Sequence, residues 1–298
     1  MMLDAIEKRS RNYQEKPFMS ILIPSWNNLP ILKWCINALR KNNQINTQII
    51  VFINEGKDGT IEWVKEQADL DYVISPSNMG ICYALNSCRS IIKADYLLYL
   101  NDDMYVLPGW DVKLKERIEQ LNTKMFMISA TLIEPKDTGN GCVVVKDFGD
   151  DLDTFDEEGL LSSYQSLYKK DWVGSTWPPN IMHVELWDLV GGLSVEYSPG
   201  MYSDPDFSKK IYDAGVRILI GIGDSLVYHF GSKSTKKLKK NTGRIQFIMK
   251  WGMTAKSFTK EVLHLGAHTN EVKVEEEASL PSQKGFVNKL KRMYYSIK

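Results

Sequence analysis

The sequence lacks the features that mark several large classes of protein. Its four cysteines have no paired spacing, which argues against a disulfide framework and against a cysteine-ligated metal. No apolar run is long enough to span a bilayer, and the first residues lack the apolar core of a signal peptide. No internal repeat and no low-complexity segment is present. These absences predict a reduced, cytoplasmic, globular protein.

The charge of the chain also lacks a bias. Lysine plus arginine and aspartate plus glutamate each number 37 in 298 residues. Nucleic-acid-binding domains usually carry a basic excess, so we expect no nucleic-acid partner. Hydrophobic residues make up 43% of the chain, which is enough to fill the core of one large α/β domain or of two smaller ones.

Short apolar strands alternate with segments that carry apolar residues at helical spacing. The predicted strands cover residues 18–23, 48–53, 72–74, 96–100, 125–130, 142–148 and 216–220. Strands that alternate with helices favour right-handed crossovers and a largely parallel sheet. The carboxyl ends of such strands meet at one edge of the sheet, where ligands bind in open α/β folds.

Two adjacent carboxylates follow the buried strand 96–100. Because side chains alternate across a strand, Asn101 and Asp103 should point to one side and Asp102 to the other. Oxygen ligands of this kind hold hard cations and phosphates. The alternative is a polar loop that caps the next helix.

Asp204 and His229 each have a structural and a functional interpretation. Asp204 stands where a helix cap is expected, with Pro205 at the first helical position. A lone histidine is usually structural, but His229 lies near the end of an apolar strand, which favours a ligand.

Two charged segments also have two interpretations. The lysines that begin at Lys233 form either a solvated loop or a flap that closes over a diphosphate. Residues 285–298 predict a basic amphipathic helix that either anchors the protein at a membrane surface or docks on its own domain.

Six short motifs occur in an order that is typical of one enzyme family. They are Pro24-Ser25-Trp26-Asn27-Asn28, Asp58-Gly59-Thr60, Asn78-Met79-Gly80 with Asn86, Leu100-Asn101-Asp102-Asp103, Gly191-Gly192 and Ser203-Asp204-Pro205-Asp206. Over roughly residues 18–232 the chain resembles a family 2 glycosyltransferase with the GT-A fold. Two segments depart from that pattern: Asn54-Glu55-Gly56-Lys57 stands where relatives more often carry aspartates, and Ser203-Asp204 replaces a Glu-Asp pair.

The resemblance implies an α/β fold of the GT-A type, with a Rossmann-like, mostly parallel sheet flanked by helices and a C-terminal helical tail. Residues 1–17 would be an N-terminal extension, 18–260 the glycosyltransferase domain and 261–298 the tail. The nucleotide-binding half of the domain would cover about 18–122, and the acceptor half about 123–260.

The resemblance also implies an inverting, metal-dependent transferase of polysaccharide biosynthesis. It would move a sugar from a nucleotide-diphosphate sugar to a hydroxyl of a glycan, a lipid-linked molecule or a protein. Asp103 and His229 would hold Mn²⁺ or Mg²⁺, which neutralises the leaving diphosphate. Asp204 would be the catalytic base, with Asp206 as the fallback. The nucleotide sugar would contact Pro24, Ser25, Trp26, Asn28, Asn54, Glu55, Asn78, Gly80, Asn86, Asn101, Asp102 and Lys233.

Two other functions compete with this one. A nucleotidyltransferase would share a similar sheet and metal aspartates, but it should carry a glycine- and arginine-rich phosphate loop where residues 24–28 stand. A non-catalytic carbohydrate-binding protein on the same fold would differ by failing to hydrolyse a nucleotide sugar in the presence of a divalent cation.

Overall fold

The computed structural model describes residues 6–231, 242–271 and 282–297. All strands of these residues belong to one mixed sheet. The strands are β1 (Glu7–Arg9), β2 (Met19–Trp26), β3 (Thr47–Asn54), β4 (Asp71–Ser75), β5 (Tyr96–Tyr99), β6 (Met104–Val106), β7 (Phe126–Glu134), β8 (Val144–Val145), β9 (Trp172–Val173), β10 (Asn180–His183) and β11 (Ile218–His229).

Helices cover both faces of this sheet. They are α1 (Leu29–Asn42), α2 (Thr60–Glu66), α3 (Gly80–Cys88), α4 (Trp110–Gln120), α5 (Glu157–Ser163), α6 (Val184–Val190), α7 (Ser203–Asp213), α8 (Gly243–Trp251), α9 (Ala255–Ser257) and α10 (Ser282–Ile297). None of the helices in the described residues is long and apolar enough to cross a bilayer.

The strand order is β1-β4-β3-β2-β5-β10-β7-β11-β6, with β8 beside β7 and β9 beside β11. The neighbours β4, β3, β2 and β5 run parallel, as do β7 and β11. Strand β10 lies antiparallel between β5 and β7 and joins the two parallel groups. This mostly parallel sheet with flanking helices confirms the predicted fold class.

The strands are apolar on both faces because a separate core packs on each side of the sheet. Ile21 and Ile23 of β2 belong to the core that includes Leu32 of α1. Leu22, between them, belongs to the core that includes Leu85 of α3 and Phe207 of α7. The alternation of side chains along one strand thus fills two layers, as expected for a strand buried between helices.

Three strand predictions need correction. The strand predicted at 142–148 is reduced to β8, because the backbone amides of Cys142 and Gly149 bond to the side chains of Asn140 and Asp147. Such local turns compete with strand pairing. Conversely, β7 and β11 extend well beyond the predicted 125–130 and 216–220.

Both ends of the described chain pack on the domain. Strand β1 pairs with β4, so the predicted N-terminal extension contributes an edge strand to the sheet. In α10, Asn288 is only 2% exposed, and its side-chain oxygen accepts hydrogen bonds from Thr254 N and Ser257 Oγ. The opposite side of α10 is open, with Phe286 62% exposed and Met293 60% exposed.

The start of α3 contacts the segment that leads into α7. Gly80 has φ +73°, and a Cβ atom there would lie 2.6 Å from Cα of Pro199. The Ile81 amide donates to the Pro199 carbonyl at 2.9 Å. Glycine is therefore required twice at this position, for the backbone conformation and for the close approach.

We expect Gly80→Ala to destabilise the fold more than Gly109→Ala. Gly109 has φ +83°, but a Cβ atom there would meet nothing within 4 Å. Gly109→Ala should therefore carry only the cost of the left-handed conformation, about 1–2 kcal/mol. Gly80→Ala should cost roughly 1–3 kcal/mol more because of the clash. Urea unfolding measures both, and equal losses would contradict the packing role of Gly80.

Candidate active site

The carboxyl ends of β2 and β5 bring Ser25 and Asp102 together. Leu22 pairs with Tyr99 in the parallel register, and the Leu100 amide donates to the Leu22 carbonyl at 3.0 Å. The residues that follow in β2 and after β5 therefore lie side by side. Ser25 Oγ donates to Asp102 Oδ2 at 2.7 Å.

Asp102 is buried and bonds to side chains of the turn that follows β2. Asn28 occupies the N-cap of α1, but its side-chain amide donates to Asp102 Oδ2 at 3.2 Å and does not cap the helix. Burial, with the neighbouring charge of Asp103, raises the pKa of Asp102 to about 7. Asp102 thus ties the β2 turn to the end of β5.

Asp103 faces the end of β11, where His229 lies. His229 Nε2 is 3.4 Å from Asp103 Oδ1, and His229 Nδ1 is 2.9 Å from Glu134 Oε1. Burial alone would lower the pKa of His229, but the carboxylates of Asp103 and Glu134 outweigh it and raise the pKa to about 10. The histidine predicted as a ligand therefore lies beside the carboxylate predicted as its partner.

Asp103 and His229 fit a divalent cation in one further respect. His229 Nε2 is buried and makes no hydrogen bond in the described structure, so it is a nitrogen without its natural partner. Within residues 6–231, 242–271 and 282–297, no group of three His, Cys, Asp or Glu side chains is arranged to hold a metal. A cation here would need its other ligands from a bound molecule or from water.

Glu55 anchors the turn that follows β2. Glu55 Oε2 accepts hydrogen bonds from Trp26 Nε1 at 2.9 Å and from the side-chain Nδ2 of Asn27 at 3.1 Å. Those two bonds, with one from Lys57, lower the pKa of Glu55. The departure from aspartate in this loop therefore serves to hold Trp26 in place at the sheet edge.

Three predicted asparagines bond to the chain itself. Asn54 Oδ1 accepts from the Met79 amide at 2.9 Å, and Asn78 Oδ1 accepts from the Gly80 amide at 2.9 Å. Asn86 accepts from the Leu193 amide at 2.9 Å and donates to the Leu193 carbonyl at 2.8 Å. These bonds fix the entry of α3 and the Gly191-Gly192 turn beside it.

Asp204 lies in the first turn of α7 and is not its cap. The helix begins at Ser203, and the cap position is held by Tyr202 with φ +75°. The predicted capping role of Asp204 is therefore wrong. Although Asp204 keeps some solvent exposure, its carboxyl group is desolvated, and this burial raises its pKa to about 7.

Tyr99 connects the two acidic groups. It is the last residue of β5 and is 5% exposed. Burial, followed by the negative charges of Asp204 and Asp103, raises the pKa of Tyr99 well above its ordinary value. Because both charges act on one phenol, Asp204 and Asp103 both lie near the end of β5.

Asp206 has a different environment from Asp204. It is fully buried, its Oδ1 accepts from Trp251 Nε1 at 2.7 Å, and Lys250 Nζ lies 3.0 Å from the same oxygen. A carboxylate engaged in this way is an anchor between α7 and α8. Its surroundings do not favour the fallback role as a base.

The other predicted residues complete the edge or lie outside it. Pro24 is in β2 beside Phe52, and the Asn101 carbonyl accepts a weak bond from the Cys35 thiol. Lys233 lies outside the described residues. Glu134 and Tyr99 were missed by the sequence interpretation, although Glu134 directly follows an apolar run, which is the kind of signal that identified Asp103.

Comparison with known proteins agrees with this geometry. Residues 20–177, which are more than half of the chain, match Glycosyl transferase family 2. The chain belongs to this family. The predicted resemblance is thereby confirmed.

Individual relatives are more distant and cover the chain in part. A segment of 109 residues is 28% identical to the uncharacterized glycosyltransferase EpsJ of Bacillus subtilis, over 35% of this chain and 31% of that protein. The S. aureus TarS 1–349 structure with UDP-GlcNAc matches with TM-score 0.58 and 12% identity over 94% of this chain and 72% of TarS 1–349. GalNAc-T7 with UDP, GalNAc and Mn²⁺ matches with TM-score 0.57 and 13% identity, over 84% and 51% of the two chains. These structures show the shared GT-A fold, and the chain spans less than a third of EpsJ and about half of GalNAc-T7.

We expect Asp206→Asn, but not Asp204→Asn, to lower the free energy of unfolding at pH 8. The folded-state pKa of Asp204, about 7, lies above the ordinary 3.8, so Asp204 favours folding only at lower pH, and this contribution is lost as pH rises through 7. Asp204→Asn should therefore not lower the free energy of unfolding at pH 8. Asp206→Asn should lower it by roughly 1.5–3 kcal/mol, because the bonds to Lys250 and Trp251 involve a charged group. Urea unfolding of both variants tests this, and a stable Asp206→Asn would contradict the anchor.

Proposed function

We propose that this protein transfers a sugar from a uridine-diphosphate sugar to an acceptor hydroxyl, with a divalent cation and with inversion at the anomeric carbon. The observation that carries the proposal is that Asp103, paired with His229, and the desolvated carboxyl group of Asp204 both lie near Tyr99 at the end of β5. A donor diphosphate and an acceptor hydroxyl need these two kinds of group on opposite sides of the transferred sugar. The TarS structure is a complex with UDP-GlcNAc and the GalNAc-T7 structure a complex with UDP, which supports the choice of nucleotide.

Asp103 and His229 would hold the cation, either Mn²⁺ or Mg²⁺. A divalent cation supplies positive charge that stabilises the leaving diphosphate. The protein provides one carboxylate oxygen and one imidazole nitrogen, which is a small ligand set of the kind used where substrate phosphates complete the coordination. The GalNAc-T7 structure contains Mn²⁺, which agrees with this ligand set.

The nucleotide would lie over the ends of β2 and β3. Trp26, fixed by Glu55, offers an aromatic face, and Ser25, Asn101 and Asp102 border the ribose position at the end of β5. We retain the division of the domain into a nucleotide half of about 18–122 and an acceptor half of about 123–260. Strand β10, between β5 and β7, would mark the boundary of the two halves.

Asp204 would take the proton of the acceptor hydroxyl. Its raised pKa suits a general base that works near neutral pH, because basicity and ionisation are then balanced. Direct attack by the deprotonated hydroxyl requires no enzyme nucleophile, so the configuration at the anomeric carbon inverts. The acceptor would be a glycan, a lipid-linked molecule or a protein, as in polysaccharide biosynthesis.

We expect UDP to bind more tightly with Mn²⁺ than with chelator, and we expect Asp103→Ala to abolish this difference. Asp95→Ala is the matched control, because Asp95 precedes β5 as Asp103 follows it and pairs with exposed Lys16. Isothermal titration calorimetry measures all three proteins. Equal UDP affinity with Mn²⁺ and with chelator in the wild-type protein would contradict the cation site.

We expect turnover to rise with pH through about 7, since Asp204 must lose its proton before it can act as a base. Asp204→Asn should reduce turnover by about 10²–10⁴-fold while UDP affinity is kept. Asp102 has a similar pKa, so the acid limb of the pH profile should persist in Asp102→Asn. Loss of the acid limb in Asp102→Asn would show that Asp102 controls it, which would contradict the assignment to Asp204.

The open face of α10 suggests contact with an anionic membrane surface. Exposed apolar residues lie at helical spacing along it, and residues 281–298 contain lysines and an arginine but no acidic residue. The exposed apolar residues are Phe286, Val287, Leu290, Met293 and Tyr294. A basic amphipathic helix of this kind fits the charge and depth of an anionic bilayer interface. Docking through Asn288 leaves this face available, so both predicted roles of the helix are compatible.

We expect Phe286→Ser/Met293→Ser to reduce sedimentation with vesicles that contain phosphatidylserine, because two exposed apolar side chains are lost. Leu189→Ser is the control, since Leu189 is 66% exposed elsewhere on the surface. Vesicles of phosphatidylcholine alone should bind less of the wild-type protein. Unchanged sedimentation of the double variant would contradict the proposed membrane contact.

A further inference from the structure

We infer that Glu134 is a positioning residue that makes Nε2 of His229 the ligand atom for the cation. The inference rests on the proposed cation site, which it deepens by assigning a residue outside the predicted motifs. It concerns how the free nitrogen of His229 is selected and aimed.

The sheet places Glu134 beside His229. Strand β7 ends at Glu134 and runs parallel to β11, with Ile133 opposite Tyr228. The following residues, Glu134 and His229, are therefore neighbours at the same edge. Both side chains are largely buried, at 14% and 12% exposure.

The chemistry of the pair determines which nitrogen carries the proton. A neutral imidazole has one N–H donor and one nitrogen with a free electron pair, and an ionised carboxylate only accepts. With Glu134 Oε1 at 2.9 Å, Nδ1 of His229 must be the donor. Nε2 lies 3.4 Å from Asp103 Oδ1, and a cation that replaces the second proton of the charged ring would meet the free electron pair of Nε2 there.

Nothing else in the described structure satisfies that nitrogen. Nε2 is buried and makes no hydrogen bond in the described residues. A carboxylate that bonds the far nitrogen of a metal-binding histidine fixes the ring and raises its basicity, and loss of such a partner commonly costs 10–100-fold in metal affinity. Glu134 is that carboxylate here. It bonds Nδ1 of His229, and the proposed cation position lies between Nε2 of His229 and Asp103.

The opposing interpretation is a structural ion pair, in which His229 only neutralises two buried carboxylates. It predicts that changes at Glu134 alter stability and leave the affinity for a cation unchanged. The two interpretations therefore separate when metal binding and the protonated nitrogen of His229 are measured directly, without use of activity.

The experiment compares Glu134→Gln and Glu134→Ala with the wild-type protein. Glutamine retains an oxygen that can accept from Nδ1, whereas alanine does not. Glu185→Gln is the control. Glu185 lies at the start of α6, beside His183, and its side chain pairs with Lys124, away from His229. Mn²⁺ affinity is measured in the presence of UDP by electron paramagnetic resonance. The ring nitrogens of His229 are observed by ¹⁵N NMR with Mg²⁺ and UDP, which is practicable with only four histidines in the chain.

We expect Glu134→Ala to weaken Mn²⁺ binding by about 10–100-fold and to release His229 from the Nδ1-protonated form. Glu134→Gln should rescue much of both properties, and Glu185→Gln should match the wild-type protein.

Wild-type affinity and an unchanged tautomer in Glu134→Ala would overturn the role of Glu134 and leave the cation site standing. Absence of Mn²⁺ binding by the wild-type protein would overturn the cation site and this inference together. If Glu134→Ala fails to fold, a tenfold loss in Glu134→Gln relative to Glu185→Gln supports the role, and equality of the two overturns it.

Discussion

Two adjacent carboxylates at the end of a buried strand are the constraint on which the site depends. Asp102 and Asp103 repel each other in a poorly solvated place, and the protein separates them by giving each its own partners. Asp102 turns to Ser25 and Asn28 and tends toward its neutral form near pH 7. Asp103 pairs with His229. One carboxylate therefore joins the β2 turn to the end of β5, and the other lies beside His229, where we propose a cation.

A second set of contacts fixes the helix that carries Asp204. The close approach of Gly80 to Pro199 and the two bonds between Asn86 and Leu193 fix the chain that leads into α7. Asp206 then fixes α7 to α8 through Trp251. The residues that carry the family motifs in this half therefore act mainly on the backbone. Their effect is to hold one desolvated carboxyl group, that of Asp204, near the end of β5.

Local sequence patterns predicted the parallel half of the sheet, its helices and the site edge, because strands buried on both faces have unmistakable apolar runs. The errors lie where distant residues decide. Asp204 was expected as a helix cap, but the helix starts two residues earlier than predicted, at Ser203, and the side chain of Asn28 bonds to Asp102. Glu134 was missed because the strand was predicted to stop at residue 130, although pairing with β11 extends it.

The central claim is that Asp204 and the cation site act from opposite sides of the sugar in a single displacement. The most direct measurement is ¹H NMR of the sugar released when the protein, with Mn²⁺, slowly transfers the sugar of α-linked UDP-sugars to water, observed before mutarotation. The account predicts that the β anomer appears first and that Asp204→Asn releases neither anomer. First appearance of the α anomer would contradict a single displacement with Asp204 as the base.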